Sequence, residues 1–337
     1  MGSVHLARDL RHQRLVAVKT IDAHLADDSE DFLERFRREG ELLRSIHHRS
    51  LPDIYDVGLT DSGEAYLVME YLEGEPLTKW SGRHPLDTIP LLIQICEALR
   101  EIAARGIVHR DLSPDNVIVV RQGRNALAKI IDFGIAKETG RTTQLTSTGF
   151  FVGKFQYCSP EQLGALEEKE TIDWRSDLYS FGVVAYRLLS GDLPFRATTP
   201  VAFVSAHLRD KPRPLVTALP GVSIPARLRD LLARLLEKDR ARRPGSYEEV
   251  IRALSLSHAE LLITGGPGKV FSGEGLPGGA AEKDTDRTRV LNQTTPVPAD
   301  RVENEARAES GSANEARTIT AETQGFESND ETTRSAK

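Results

Sequence analysis

The residues with the clearest chemical purpose lie in two short runs. His109-Arg110-Asp111-Leu112-Ser113-Pro114-Asp115-Asn116 comes first, and Asp132-Phe133-Gly134 follows after an apolar stretch. A carboxylate, an amide oxygen and a second carboxylate on neighbouring loops suit phosphoryl transfer from a nucleotide. Such transfer needs little covalent help, because positioning and charge neutralisation carry most of it. Asp111 would orient an attacking hydroxyl and take its proton. Magnesium is a hard cation that takes oxygen ligands, so Asn116 and Asp132 would hold it. His-Arg-Asp alone could be an ordinary polar turn. Asn116 five positions after Asp111, with Asp-Phe-Gly downstream, sets it apart.

Elements that could position these groups are legible on both sides. Val4, Leu6 and Arg8 alternate with smaller or polar neighbours, and residues 15–19 form a compact apolar run, so two strands are expected. Phe32, Phe36, Leu43 and Ile46 recur at helical spacing over 29–47. Strands over 53–59 and 65–71 flank a turn at Asp61-Ser62-Gly63. After Gly74 the chain turns helical. Ile89, Leu92, Ile93, Cys96, Leu99 and Ile102 make one buried stripe over 87–105, closed by Gly106. Runs at 117–120 and 127–131 read as a hairpin, and further helices are expected over 176–190, 200–209, 225–236 and 246–262. Beyond Thr264 the composition shifts to Gly, Thr, Glu, Asn and Ser, too poor in apolar residues to offset about 1–2 kcal/mol of backbone ordering per residue.

These motifs resemble those of the bacterial eukaryotic-like serine/threonine protein kinases, from Met1 to about Leu262. The resemblance implies an α+β, two-lobed fold: a small β-rich N-lobe over 1–72, a larger helical C-lobe over 73–262, and a disordered tail over 263–337. It implies ATP and Mg2+ as cofactors, and transfer of the γ-phosphate to Ser or Thr of protein substrates, the chain itself included. Val16-Ala17-Val18-Lys19 matches the strand whose lysine holds the α- and β-phosphates, and Glu39 matches the helix glutamate that pairs with it. Met69 then stands at the gatekeeper position, and Glu70 and Leu72 present hinge backbone to adenine. Leu43, His109 and Phe133 would join the lobes through an apolar spine. Ser159-Pro160-Glu161 closes the activation segment, Arg243 pairs with Glu161, and Asp177 braces the His-Arg-Asp turn.

The sequence departs from that pattern in two places. The family's phosphate-covering loop reads Gly-x-Gly-x-x-Gly-x-Val, and only its last Gly and Val are matched, by Gly2 and Val4. Two glycines and the first strand are therefore expected to be missing, with ATP bound more weakly than by a chain extended upstream. The second departure is a pair. Relatives usually carry Lys at the position of Ser113 and Thr at that of Lys154. The two side chains are expected to have exchanged roles, Lys154 supplying the ammonium and Ser113 the hydroxyl beside Asp111.

Regulation follows from the same resemblance. Arg110 would read a phosphate on the activation segment, and Thr146 and Thr148 best match the phosphorylated threonines of relatives. Pro114 favours serine/threonine over tyrosine. The mild net charge of −6, without a dense basic stripe, argues against nucleic acid as a partner. Two cysteines without metal spacing, no basic-then-apolar leader and no run of eighteen apolar residues suggest a cytoplasmic protein without a membrane span. Two other classes stay open. One is a pseudokinase or scaffold, opposed by the intact set Lys19, Glu39, Asp111, Asn116 and Asp132. The other is a small-molecule kinase, opposed by Ser159-Pro160-Glu161 with Arg243.

Overall fold

The computed structural model describes residues 3–21, 29–60, 63–123, 125–132, 155–166 and 171–264. Gly2, Phe133, Thr146, Thr148, Lys154 and the tail from 265 onward lie outside these residues.

The N-terminal part is built on β1 (Ser3–Asp9), β2 (Arg14–Ile21), β3 (Ile54–Leu59) and β4 (Ala65–Glu70). They form one antiparallel sheet in the order β1-β2-β4-β3. Strand side chains alternate between faces. Ala65, Leu67 and Met69 of β4 accordingly enter the core, while the residues between them are half-buried. The register sets Lys19 opposite Leu67 and Ala17 opposite Met69. Helix α1 (Ser29–Arg44) covers the sheet, burying Phe36 and Leu43. It can approach β3 because Gly40 has no side chain: a Cβ there would lie 2.7 Å from Val57.

The second part is mainly helical. It contains α2 (Pro85–Ala103), α3 (Trp174–Ser190), α4 (Pro200–Arg209), α5 (Ala226–Leu235) and α6 (Tyr247–Thr264). The stripe expected on α2 is buried at Ile89, Leu92, Cys96, Leu99 and Ile102, and Ile93 packs at its margin. Helix α3 is buried on nearly every face. Gly182 lets α5 lie close against it, since a Cβ at 182 would meet Leu235 at 2.8 Å. A small second sheet carries β5 (Gly74–Pro76), β6 (Val117–Gln122) and β7 (Asn125–Ile130) in that order. The hairpin β6–β7 is the expected one. Strand β5 was not expected, because Gly-Glu-Pro has little strand propensity; it pairs on one side only, where proline is tolerated.

The two-lobed α+β arrangement is thus a small sheet with one helix followed by a helical lobe. Among the described residues, no helix is long and apolar enough to cross a membrane.

Candidate active site

The turn that carries Asp111 is held by its own backbone. Asp177, in the first turn of α3 and almost wholly buried, accepts from the His109 N–H at 2.8 Å and the Arg110 N–H at 2.9 Å. Burial pushes the Asp177 carboxyl up to about 6, and the two N–H donors pull against that rise. Arg110 takes a left-handed φ of +62°, a conformation uncommon outside glycine. The buried His109 accepts from the Asp111 N–H through Nδ1 at 3.3 Å.

Asn116 ends a single 3-10 turn, Pro114–Asn116, and its N–H returns to the Ser113 carbonyl at 3.1 Å. Its Nδ2 donates to the Asp111 carbonyl at 2.7 Å and to Asp111 Oδ2 at 3.2 Å. Both partners can only accept, so the amide is fixed with nitrogen toward Asp111 and Oδ1 on the other side. The Ile131 N–H donates to the Asn116 carbonyl at 2.9 Å, which draws the end of β7 alongside and places Asp132 next to it. The Asp132 carboxylate forms an ion pair with the Lys19 ammonium from β2. The contacts run from Lys19 to Asp132, and from its neighbour Ile131 to Asn116 and Asp111, so three separate stretches of the chain come together.

This donor set suits a divalent metal. Asn116 Oδ1 and the half-exposed Asp132 carboxylate are hard oxygen donors of the kind magnesium prefers. Among the described residues, there is no group of three or more His, Cys, Asp or Glu that could hold a metal ion. Glu39, expected beside Lys19, lies half-buried on α1, and Val4 packs at the margin of the core near β2. Ala17 and Met69 face each other, both buried, and Leu72 is half-buried just beyond β4.

A family model described as the protein kinase domain matches residues 1–254. The chain belongs to the protein kinase family. The chain is 41% identical over 268 residues to the serine/threonine-protein kinase pkn2 of Myxococcus xanthus, an alignment that covers 77% of the chain and 31% of that protein. It is 38% identical over 286 residues to Pkn1 of the same organism, covering 83% of the chain and 39% of the relative. With the PknB kinase of Mycobacterium tuberculosis it shares 37% over 231 residues, 66% of the chain and 36% of that protein. The chain therefore spans about a third of the length of these curated relatives. The resemblance to bacterial serine/threonine kinases stands, and membership in the family implies use of ATP and a divalent metal.

Beneath the site the kinase domain is braced by a buried pair. Arg243 Nη2 meets Glu161 Oε1 at 2.6 Å and Arg243 Nη1 meets Oε2 at 3.2 Å. Other supports had no forecast. Lys129 of β7 pairs with the Glu70 carboxylate at 2.6 Å and donates to the Leu51 carbonyl at 3.2 Å, tying the end of β4 to the strand that leads into Asp132. A lone lysine inside an apolar run was its one sequence signal, since buried charges are almost always paired.

His207 of α4 was equally unforeseen. Lys238 donates to the Tyr179 hydroxyl at 3.1 Å, which is 3.0 Å from His207 Nδ1, while His207 Nε2 is 3.1 Å from the Gln156 carbonyl. Lysine only donates and a carbonyl only accepts, so the proton of the ring lies on Nε2. Burial holds this imidazole down to about 4, and the nearby Lys238 ammonium adds to that effect.

Proposed function

We propose that this chain is an ATP- and magnesium-dependent protein kinase that phosphorylates serine and threonine. The observation that carries this reading is the run of contacts from Lys19 to Asp132 and, through the backbone of Ile131, to Asn116 and Asp111. Magnesium, when bound, neutralises charge on the phosphates, and Asn116 and Asp132 are the residues that would hold it. Asp111 orients the substrate hydroxyl and takes its proton through a carboxylate that Asn116 keeps in place. Lys19 keeps a positive charge where phosphate oxygens gather. Gly2, Val4, Ala17 and Met69 are assigned to nucleotide binding, the backbone of Glu70 and Leu72 to adenine and Glu39 to the support of Lys19. The intact set Lys19, Glu39, Asp111, Asn116 and Asp132 favours an active enzyme over a scaffold.

Serine and threonine are the target class because relatives so named align over most of the chain and because Pro114 opens the turn after Asp111. Autophosphorylation at Thr146 or Thr148, read by Arg110, is the proposed activating event. Cys96 and Cys158 are in no disulfide, which together with dependence on ATP supports a cytoplasmic setting for the domain. The reading is tested with γ-labelled ATP and magnesium on serine/threonine and tyrosine peptides, followed by phosphoamino-acid analysis of peptide and enzyme. Phosphoserine or phosphothreonine is expected in both. Label only on tyrosine, or none, would overturn the assignment.

Ser113 and Lys154 are proposed to have exchanged the roles that relatives give to a lysine and a threonine. Ser113 is half-buried immediately before the turn that positions Asn116. Ser113→Lys and Lys154→Thr should each lower turnover about ten- to hundred-fold, the loss of a charge-assisted contact worth roughly 1.5–3 kcal/mol. Together they should recover most of it. A double variant no better than the product of the single losses rules the exchange out.

A further inference from the structure

The peptide unit that joins Arg110 to Asp111 is gripped at both ends. Its N–H, that of Asp111, points at His109 Nδ1 at 3.3 Å. Its carbonyl, that of Arg110, accepts from Gln162 Nε2 at 2.6 Å. Gln162 lies in the 3-10 turn Pro160–Leu163, just past the activation segment. The orientation of its amide is forced. The Ser159 N–H donates to Gln162 Oε1 at 3.0 Å, so the nitrogen must face the Arg110 carbonyl. The turn is itself anchored, because Ser159 Oγ bonds Ser176 Oγ at 2.6 Å, one residue before Asp177.

From this geometry we infer that Gln162 is a positioning residue for Asp111. A peptide unit is planar and turns as one plate. Arg110 holds its left-handed φ only while its neighbours restrain it. Asp177 fixes the two N–H groups before that plate, and Gln162 fixes the carbonyl of the plate itself. Releasing this carbonyl lets the plate swing and carries the Asp111 carboxylate away from the substrate hydroxyl. The same side chain thereby couples the end of the activation segment to the proton acceptor. This inference rests on the kinase reading above.

Gln162→Glu separates the two ends of the clamp. A glutamate keeps an oxygen for the Ser159 N–H but sets a second oxygen against the Arg110 carbonyl, where two acceptors repel. The expected result is a fall in kcat of about ten- to thirty-fold, the effect of one lost hydrogen bond to a strained carbonyl. KM for ATP should stay within a factor of two of wild type, because the nucleotide contacts are untouched. The deficit should shrink as pH falls, since a protonated carboxyl regains a donor for Arg110. Wild-type kcat, or a loss independent of pH and matched by a fall in folded fraction, would overturn the inference. Amide hydrogen exchange over 108–112 gives an answer that does not need activity. Faster exchange of the Asp111 amide in Gln162→Glu is expected even if wild type transfers no phosphate, an outcome that would sink the kinase reading alone. Unchanged exchange there would sink the clamp.

Discussion

Asp111→Asn is expected to reduce phosphate transfer by about 10²–10⁴-fold, the usual contribution of a positioned general base. Asparagine has the same shape and cannot accept the hydroxyl proton. The fold should tolerate it. Asn116 Nδ2 has its shorter bond to the Asp111 backbone carbonyl, at 2.7 Å, which the substitution leaves in place. The Asp111 N–H bond to His109 and the Asp177 bonds to the preceding amides are also backbone contacts. Initial rates of label transfer, read beside the thermal midpoint, check this. A variant that is folded and within tenfold of wild type would remove Asp111 from the mechanism.

The largest effect on stability is expected at Arg243. Its side chain is fully buried, and besides Glu161 it serves three carbonyls: Glu237 at 2.9 Å, Arg175 at 2.7 Å and Lys238 at 3.3 Å. Its guanidinium also stands 4.9 Å from the centre of the Tyr179 ring. Removing one partner of a buried pair leaves the other charge uncompensated, at a cost of about 3–5 kcal/mol. Arg243→Met should therefore lower unfolding free energy by that amount in a urea titration. Many buried ion pairs can be replaced by apolar residues without loss. This one should not be. In Glu161→Met with Arg243→Met the three carbonyls still lack their donor, so the double variant should remain well below wild type. A cost under about 1 kcal/mol for Arg243→Met would show that the pair does not hold the lobe together.

Chemistry was easier to read in the sequence than contact. Asp111, Asn116 and Asp132 stood out because a phosphate-transfer site would need such groups at nearly fixed spacing, and the proposal gives them those roles. Helix α4 was readable to both ends: Thr199 caps it and Pro200 occupies its first position. Helix α3 begins two residues before the expected Ser176, because Asp173 caps it through the Arg175 N–H. That cap lies outside the apolar pattern that suggested the boundary.

Partnerships across the chain were the hidden part. Lys19 pairs with Asp132 across 113 positions, Lys129 with Glu70 across 59, and Gln162 reaches Arg110 across 52. No local periodicity encodes such separations. They appear only once the two sheets and α3 are assembled. Gln162 illustrates the point well, since nothing in Ser-Pro-Glu-Gln distinguishes a solvated glutamine from one that holds a carbonyl.

Asn116 and Asp132 are assigned to one metal beside Asp111, and calorimetric titration of ATP against wild type, Asp111→Asn and Asp132→Asn, each with and without magnesium, tests this most directly. Asp111→Asn should bind ATP as wild type does, with the same gain from magnesium, because its carboxylate is assigned to the hydroxyl and not to the ion. Asp132→Asn should lose the magnesium-dependent gain. If Asp132→Asn keeps that gain in full, the ion is held elsewhere and the assignment of these residues is wrong.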